Sequence, residues 1–132
     1  MEDSGGGLPL YWRVLARFGS GAWRRADSMQ HSARYGVGQI IHHRLFNYRG
    51  VIVGVDPVFS GTDDWYEKVA RTRPPRDAPW YHVLVHDSEV ITYVAERNLE
   101  PDPSGEPVEH PLVATLLGDY AHGRYGDPSA IH

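Results

Sequence analysis

Two neighbouring segments decide the fold: DAPWYHVLV at residues 77–85 and VITYV at residues 90–94. Both place apolar side chains on the two alternating faces of a strand, which is typical of a sheet that is covered on both sides. The residues between them, HDSE at 86–89, predict a turn that makes the pair an antiparallel hairpin. Because strands this short are not stable in isolation, the hairpin requires further strands from elsewhere in the chain.

Two such strands are predicted upstream of the hairpin. VGQIIHHR at residues 37–44 alternates in the same way, and VIVGV at residues 51–55 returns after a connection that contains Asn47 and Gly50, which favour a hairpin turn. Gly54 predicts a bulge or sharp bend in the returning strand. The four strands together indicate a mainly β fold, in which one small antiparallel sheet curls on itself.

A short helix is predicted as an insert between the second and third strands. Thr62 or Asp63 can cap its N-terminus, and acidic residues in the first turn suit the helix dipole. WYEKVAR at residues 65–71 then provides about two helical turns. The helix ends ahead of Pro74 and Pro75, because a residue that precedes proline avoids the helical region.

The chain downstream of the hairpin predicts shorter elements. Residues 95–99 indicate a single helical or 3₁₀ turn that returns Leu99 to the core. The polar, proline-rich residues 102–107 end the sheet, and residues 111–117 predict a short helix with Pro111 in its first turn.

Composition limits the class of protein. A length of 132 residues supports one domain, and the absence of cysteine excludes disulfides, thiolate zinc sites and cysteine nucleophiles. No apolar run is long enough to cross a bilayer, so we expect a cytoplasmic protein without a membrane partner. Residues 1–28 hold four arginines and three acids, so the rest of the chain, within a total formal charge of −4, carries −5. A domain that binds duplex DNA through phosphates is normally basic.

The same patterns divide the chain into three parts. Residues 1–34 are predicted to be a flexible N-terminal extension, residues 35–117 the folded domain, and residues 118–132 a loosely held C-terminal tail. One alternative for the extension is that Met29 is the natural start of the protein. Another is that its arginines form a basic arm that grips nucleic acid.

Histidines are candidate metal ligands. His82 and His86 share one face of a predicted strand, and metal-dependent catalysis through them is one hypothesis. His42 and His43 adjoin, but neighbouring strand residues point to opposite faces, so both cannot bind one ion without distortion. The alternative is that these side chains are solvated or hydrogen-bonded. Because no metal-ligand spacing, nucleophile elbow or phosphate loop accompanies them, we predict no catalytic residue, metal ligand or cofactor.

The insert carries the best candidate for a partner-binding surface, because aromatic and basic side chains alternate there. Such a mixture suits a surface that stacks flat groups and pairs with anions. The alternative is that Trp65 and Trp80 cap the core while the arginines are simply solvated. The predicted binding residues are Trp65, Tyr66, Lys68, Arg71, Arg73, Arg76 and Trp80.

Long strings of this sequence resemble one known family, the HspQ family, which is the bacterial form of the hemimethylated-DNA-binding domain. The resemblance covers about residues 35–117. The matching strings are GQIIHHRLFNYRGVI at 38–52, DP at 56–57, FSGT at 59–62, WY at 65–66, RPP at 73–75, PWYHVLV at 79–85, NLEP at 98–101 and HPL at 110–112.

The resemblance implies a small SH3-like β-barrel without enzymatic activity. It further implies a heat-induced homo-oligomer, thought to be a trimer, that promotes turnover of certain denatured or regulatory proteins, such as the replication initiator, in association with the Lon protease. Binding to hemimethylated DNA near the replication origin is the other activity that the resemblance implies. Because the net charge is negative, we expect a protease adaptor first and a DNA-binding module as the alternative.

Overall fold

The computed structural model describes residues 33–70 and 72–128. Three expectations from the sequence therefore lie outside the described residues: the character of the extension over residues 1–32, the alternative start at Met29, and the placement of Arg71.

The main sheet is antiparallel throughout, and its five strands pair in the order β4-β3-β2-β1-β5. This confirms the prediction of a mainly β fold. Within the described residues no strand pairing joins the outer strands β4 and β5, so these backbone hydrogen bonds do not close the sheet into a barrel. The strands are β1 Ile40–His43, β2 Arg49–Asp56, β3 Trp80–Val85, β4 Ile91–Ala95 and β5 Leu99–Pro101.

Helix α1, Asp63–Val69, is inserted between β2 and β3, as predicted. Thr62 is its cap: its side-chain oxygen accepts a hydrogen bond from the backbone N–H of Trp65 at 3.0 Å. A 3₁₀ turn, Glu96–Asn98, connects β4 to β5. A second helix, α2, spans Val113–Leu116. No helix in the described part of the chain is long and apolar enough to span a membrane.

The predicted bulge at Gly54 is confirmed. The register of β2 against β3 shifts between Ile52 and Gly54, so that Ile52 pairs with Val83 while Gly54 pairs with His82. A Cβ at position 54 would lie 3.0 Å from the imidazole of His82, which is closer than ordinary packing allows. Glycine therefore lets the bulged backbone approach this buried ring.

Apolar side chains form two separate clusters because both faces of the sheet are covered. Every residue of β3 and β4 is buried. The larger cluster, here called the main core, includes Ile41, Val51, Val83 and Leu99. The second cluster, here called the aromatic cap, is built on β3, β4 and α1. Its members are Tyr66, Ala70, Trp80, Tyr93 and Ala95, with Phe59 and Trp65 packed against them.

Two further short strands lie in the C-terminal part, within the residues 118–132 that the sequence analysis assigned to a tail. Strands β6, Tyr120–Ala121, and β7, Arg124–Tyr125, form a two-stranded hairpin. Tyr125 is buried, its backbone N–H donates to the carbonyl of Gly38 at 2.9 Å, and its hydroxyl accepts from the N–H of Val108 at 3.1 Å. These contacts fasten the hairpin to the main core. Residues 129–132 lie outside the described residues.

Candidate binding surface

The predicted aromatic surface is mostly enclosed. Trp80 is 0% exposed and Tyr66 is 8% exposed, while Trp65 is half-buried. Trp80 Nε1 donates to the carbonyl of Pro75 at 3.0 Å, and the Tyr66 hydroxyl donates to the carbonyl of Pro74 at 2.7 Å. The carbonyls of the Pro-Pro pair thus satisfy the polar atoms of both rings. Tyr66 and Trp80, two of the predicted binding residues, are therefore buried within this chain and do not form an exposed surface.

Phe59 explains why these rings turn inward. Its ring centroid lies 5.0 Å from that of Trp80, 5.4 Å from that of Tyr66 and 5.9 Å from that of Trp65. Such spacings are typical of stabilising aromatic pairs. Phe59 lies three residues after the end of β2, and its ring packs among the rings of α1 and β3. The burial of Trp80 in the aromatic cap agrees with the alternative interpretation, in which the tryptophans cap the core.

The basic residues of the insert are exposed, but each described one has an acidic neighbour in the same chain. Lys68 Nζ lies 3.3 Å from Asp64 Oδ2, and Arg73 Nη1 lies 3.0 Å from Glu67 Oε1. Arg76 forms an ion pair with Asp63, the first residue of α1. These pairs are solvent-exposed and add little stability, but they leave less net positive charge for a partner. The insert is therefore less basic than its arginines and lysine alone predict.

An exposed apolar loop follows β1 directly, and it was not among the sites predicted from the sequence. We call residues 44–47, which connect β1 to β2, the loop tip. Leu45 is 54% exposed and Phe46 is 36% exposed. Two adjacent large apolar residues in the predicted hairpin connection were the signal that could have identified it.

His43 holds the loop tip in shape. Its side chain is 0% exposed, and its Nδ1 accepts hydrogen bonds from the backbone N–H of Leu45 at 3.1 Å and of Phe46 at 3.0 Å. The backbone N–H of Asn47 donates to the His43 carbonyl at 2.9 Å, and Asn47 has a φ of 57°, a conformation that Asn tolerates well. The apolar side chains are thus presented on a preorganised backbone.

His42 fastens the opposite side of the same loop. Its Nε2 lies 2.6 Å from Asn47 Oδ1 and its Nδ1 lies 2.8 Å from Glu100 Oε2. Because both ring nitrogens face oxygen acceptors, the doubly protonated ring is favoured. The hydrogen bond to Asn47 is the main cause that raises the pKa of His42 above its usual value of 6.5, with a smaller contribution from Glu100.

We expect this arrangement to make loop stability depend on pH. A raised folded-state pKa means that His42 contributes its full stabilisation below pH about 6.5 and loses it as the pH rises through the folded-state value. His42→Gln should therefore lower the free energy of unfolding more at acidic than at alkaline pH, by less than about 1 kcal/mol because the site is partly exposed. Chemical denaturation at several pH values measures this difference.

A residue-specific NMR titration of the His42 ring provides the direct measurement. The matched variant is Asn47→Gly, which keeps the positive φ accessible and removes the amide side chain. It should lower the pKa of His42 towards 6.5, since the Asn47 hydrogen bond is the largest cause of the shift. A wild-type pKa at or below 6.5 would contradict the assignment.

The other two candidate histidines serve different structural contacts. His82 is 0% exposed, and its Nε2 lies 3.4 Å from Oδ2 of Asp56, which is equally buried. His86 Nδ1 accepts from the backbone N–H of Glu109 at 2.9 Å. The described residues contain no cluster of three or more His, Cys, Asp or Glu side chains placed to hold a metal ion.

A small cavity on the surface, here called the arginine pocket, has a volume of about 170 Å³. Arg34, Arg44 and Arg97 line it together with one acid, Glu96. Arg44 Nη1 donates to the carbonyl of Arg97 at 3.4 Å, and Arg97 Nη2 donates to the carbonyl of Thr72 at 2.5 Å. The guanidinium groups of Arg44 and Arg97 thus bond to backbone carbonyls, and no ion pair with a carboxylate joins any of the three arginines to another described residue.

A family model described as "Hemimethylated DNA-binding protein YccV like" matches residues 33–124 of this chain. The chain belongs to the YccV-like family. This finding confirms the resemblance to the HspQ family. The YccV-like domain includes the loop tip, the aromatic cap and the arginine pocket, and it extends past residue 117 to the hairpin of β6 and β7.

Proposed function

We propose that this protein is a non-enzymatic, cytoplasmic stress-response protein that acts as a protease adaptor. In this function it binds certain denatured or regulatory proteins, with the replication initiator as one candidate, and promotes their degradation by a Lon-type protease. The protease, the clients and the stress response come from the HspQ resemblance. The physical basis of the proposal is the exposed loop tip.

The loop tip is the observation that carries the proposal. Leu45 and Phe46 are exposed large apolar side chains on a backbone that His42 and His43 already hold in place. A surface that is ordered before binding loses little conformational entropy when a partner arrives. Exposed apolar groups on such a surface favour protein segments whose own apolar residues have become accessible, as in denatured proteins.

The charge distribution supports a protein partner. Residues 29–132 carry a formal charge of −5, and the described basic residues of the insert pair with acids of the same chain. Duplex DNA binding depends largely on releasing counterions from phosphates through many basic contacts. An apolar contact with a protein segment has no such requirement.

Non-enzymatic action is supported by the contacts of the histidines, which are the residues most often used in proton transfer near neutral pH. His42 and His43 organise the loop tip, and His86 accepts a backbone hydrogen bond. His82 lies inside the fold. Their described contacts are structural.

A homo-oligomer, with three copies as the expectation from the resemblance, would multiply a weak individual contact. Several loop tips on one assembly can engage one denatured chain, and each further contact then forms at a high effective concentration. Light scattering of the full chain measures the number of copies.

We expect the loop tip to determine client binding. The double variant Leu45→Ser, Phe46→Ser should weaken stimulation of client degradation by about tenfold, a loss typical of removing the apolar centre of an interface. The assay measures degradation of a denatured client by a purified Lon-type protease, with a titration of the wild-type protein or the variant. Circular dichroism should show an unchanged fold.

The matched control for this experiment is Val90→Ser, which removes a similarly exposed apolar side chain, 39% exposed, at the turn before β4. It should stimulate degradation as the wild-type protein does. The adaptor proposal fails if the wild-type protein leaves the degradation rate unchanged at every concentration.

Hemimethylated-DNA binding is a second candidate function, and the description of the family model favours it. Selectivity for such DNA requires an apolar contact with the extra methyl group in the major groove. The test is a salt titration with hemimethylated, unmethylated and fully methylated duplexes of one sequence. Tighter binding to the hemimethylated duplex supports this function, whereas weak binding without preference that falls steeply with salt contradicts it.

A further inference from the structure

The arginine pocket is a second binding feature, separate from the loop tip in chemistry but connected to it by Arg44. We infer that this pocket binds carboxylate side chains of an acidic segment in the client protein, next to apolar residues that contact the loop tip. The inference rests on the proposed function, because it assigns a chemical class to the clients.

Electrostatics provide the first step. Three arginines, Arg34, Arg44 and Arg97, line the pocket together with one residue that bears a carboxylate, Glu96. That carboxylate is already engaged, since its Oε1 accepts from the hydroxyl of Tyr81 at 2.6 Å and from the backbone N–H of Arg34 at 2.9 Å. The pocket is therefore locally positive in a domain that is negative as a whole. Guanidinium groups bind carboxylates strongly, often through two parallel hydrogen bonds.

Size and lining provide the second step. A volume of about 170 Å³ is below the roughly 300 Å³ that sites for whole small molecules usually reach. It accommodates one or two side chains of a longer segment. Pro75 and Pro79 contribute apolar walls, and such walls lower the local dielectric and strengthen each guanidinium–carboxylate contact.

Continuity with the loop tip provides the third step. Arg44 is both the first residue of the loop tip and a lining residue of the pocket, and Leu45 and Phe46 follow it directly. A segment that reaches both features would place apolar side chains beside acidic ones. The surface thus favours clients with mixed apolar and acidic stretches over clients that are only apolar.

Phosphates of a nucleic acid are also negatively charged, so charge alone does not distinguish them from carboxylates. The shape of the basic surface does. A duplex presents a long row of phosphates and is normally met by an extended basic face. Here the three arginines line one small concavity, and the described basic residues of α1 and the following loop pair with acids. This arrangement favours a compact acidic group in a peptide.

The experiment measures binding of two labelled peptides to the full chain by fluorescence anisotropy. In one peptide Glu alternates with Leu and Phe, and in the other Gln replaces every Glu. The wild-type protein should bind the Glu peptide about tenfold more tightly, and the double variant Arg44→Gln, Arg97→Gln should remove this preference. The matched control is Arg124→Gln on β7, which removes an exposed charge outside the pocket and should keep the preference.

Two outcomes would overturn the inference: equal affinity of the wild-type protein for both peptides, or an unchanged preference in the double variant. Loss of duplex DNA binding in the double variant, with peptide binding intact, would also overturn it by identifying the pocket as a nucleic-acid contact. Circular dichroism and thermal unfolding check the fold of each variant. If the Gln variant does not fold, Arg44→Lys, Arg97→Lys replaces it: this variant keeps both charges but lacks the guanidinium groups, and it should reduce the preference for the Glu peptide.

The degradation assay separates this inference from the proposed function. If the double variant stimulates degradation as well as the wild-type protein does, the adaptor function holds and the pocket inference fails. If the wild-type protein shows the Glu preference but never changes a degradation rate, the pocket inference holds and the adaptor function fails.

Discussion

Trp80→Ala is expected to lower the free energy of unfolding by about 3–5 kcal/mol, the range measured when large aromatic residues are removed from protein cores. Trp80 is 0% exposed and its ring packs near those of Phe59 and Tyr93, with centroid distances of 5.0 Å and 5.2 Å. The change would leave a cavity in the aromatic cap and remove the donor to the carbonyl of Pro75. Urea denaturation followed by far-ultraviolet circular dichroism measures the loss.

The control for this result is Val90→Ala, because Val90 is 39% exposed and such surface changes alter stability by no more than about 0.5 kcal/mol. A loss below about 1 kcal/mol for Trp80→Ala would contradict the buried placement of the ring. It would also restore the original hypothesis that this indole faces a partner.

Gly38→Ala is expected to cost at least about 2 kcal/mol, since a non-glycine residue in strained backbone costs roughly 1–3 kcal/mol and a steric overlap adds to it. Gly38 has a φ of 93°, and a Cβ there would overlap the backbone carbonyl oxygen of Tyr125. Relief of the overlap requires β7 to move away from the main core. Denaturation with urea measures the total cost.

Gly36→Ala is the matched comparison, because a Cβ at position 36 would meet no atom within 4 Å. It should leave stability nearly unchanged. Hydrogen exchange locates the effect: the amide of Tyr125, which donates to the carbonyl of Gly38, should lose protection in the Gly38 variant. Unchanged protection of that amide would contradict the role of Gly38 as the fastening point of the hairpin.

Strands and their connections could be predicted from the sequence because their signals are local. Alternation placed the strands, and the lack of a side chain at Gly54 identified the bulge. Cap chemistry predicted Thr62 or Asp63 as the helix cap, since either side chain can accept from free N–H groups, and the structure has Thr62 in that position. Local chemistry did not reveal the docking of β7, which depends on contacts with residues far away in the chain.

The candidate site was harder to predict because exposure depends on tertiary contacts. Nothing in the sequence near Trp80 indicated that Phe59 would cover its ring or that Pro75 would accept its N–H. The pair of Lys68 with Asp64, four residues apart on α1, could have been expected from helical spacing.

The arginine pocket had no sequence signal at all. Its three arginines come from the segment before β1, the loop after β1 and the 3₁₀ turn, and only the strand order brings them together. A search for clustered charges along the chain therefore finds the insert, where the charges are paired, and misses the pocket.

The separation of the aromatic cap from the main core has a consequence for optical measurements. Both tryptophans of the described residues, Trp65 and Trp80, belong to the cap and neither belongs to the main core. Once Trp12 and Trp23, which lie outside the described residues, are replaced by Phe, intrinsic fluorescence follows the cap, whereas the far-ultraviolet signal follows the strands. If heating shifts the emission before the strands melt, the insert opens as its own cooperative unit and two-state analysis does not apply to this domain.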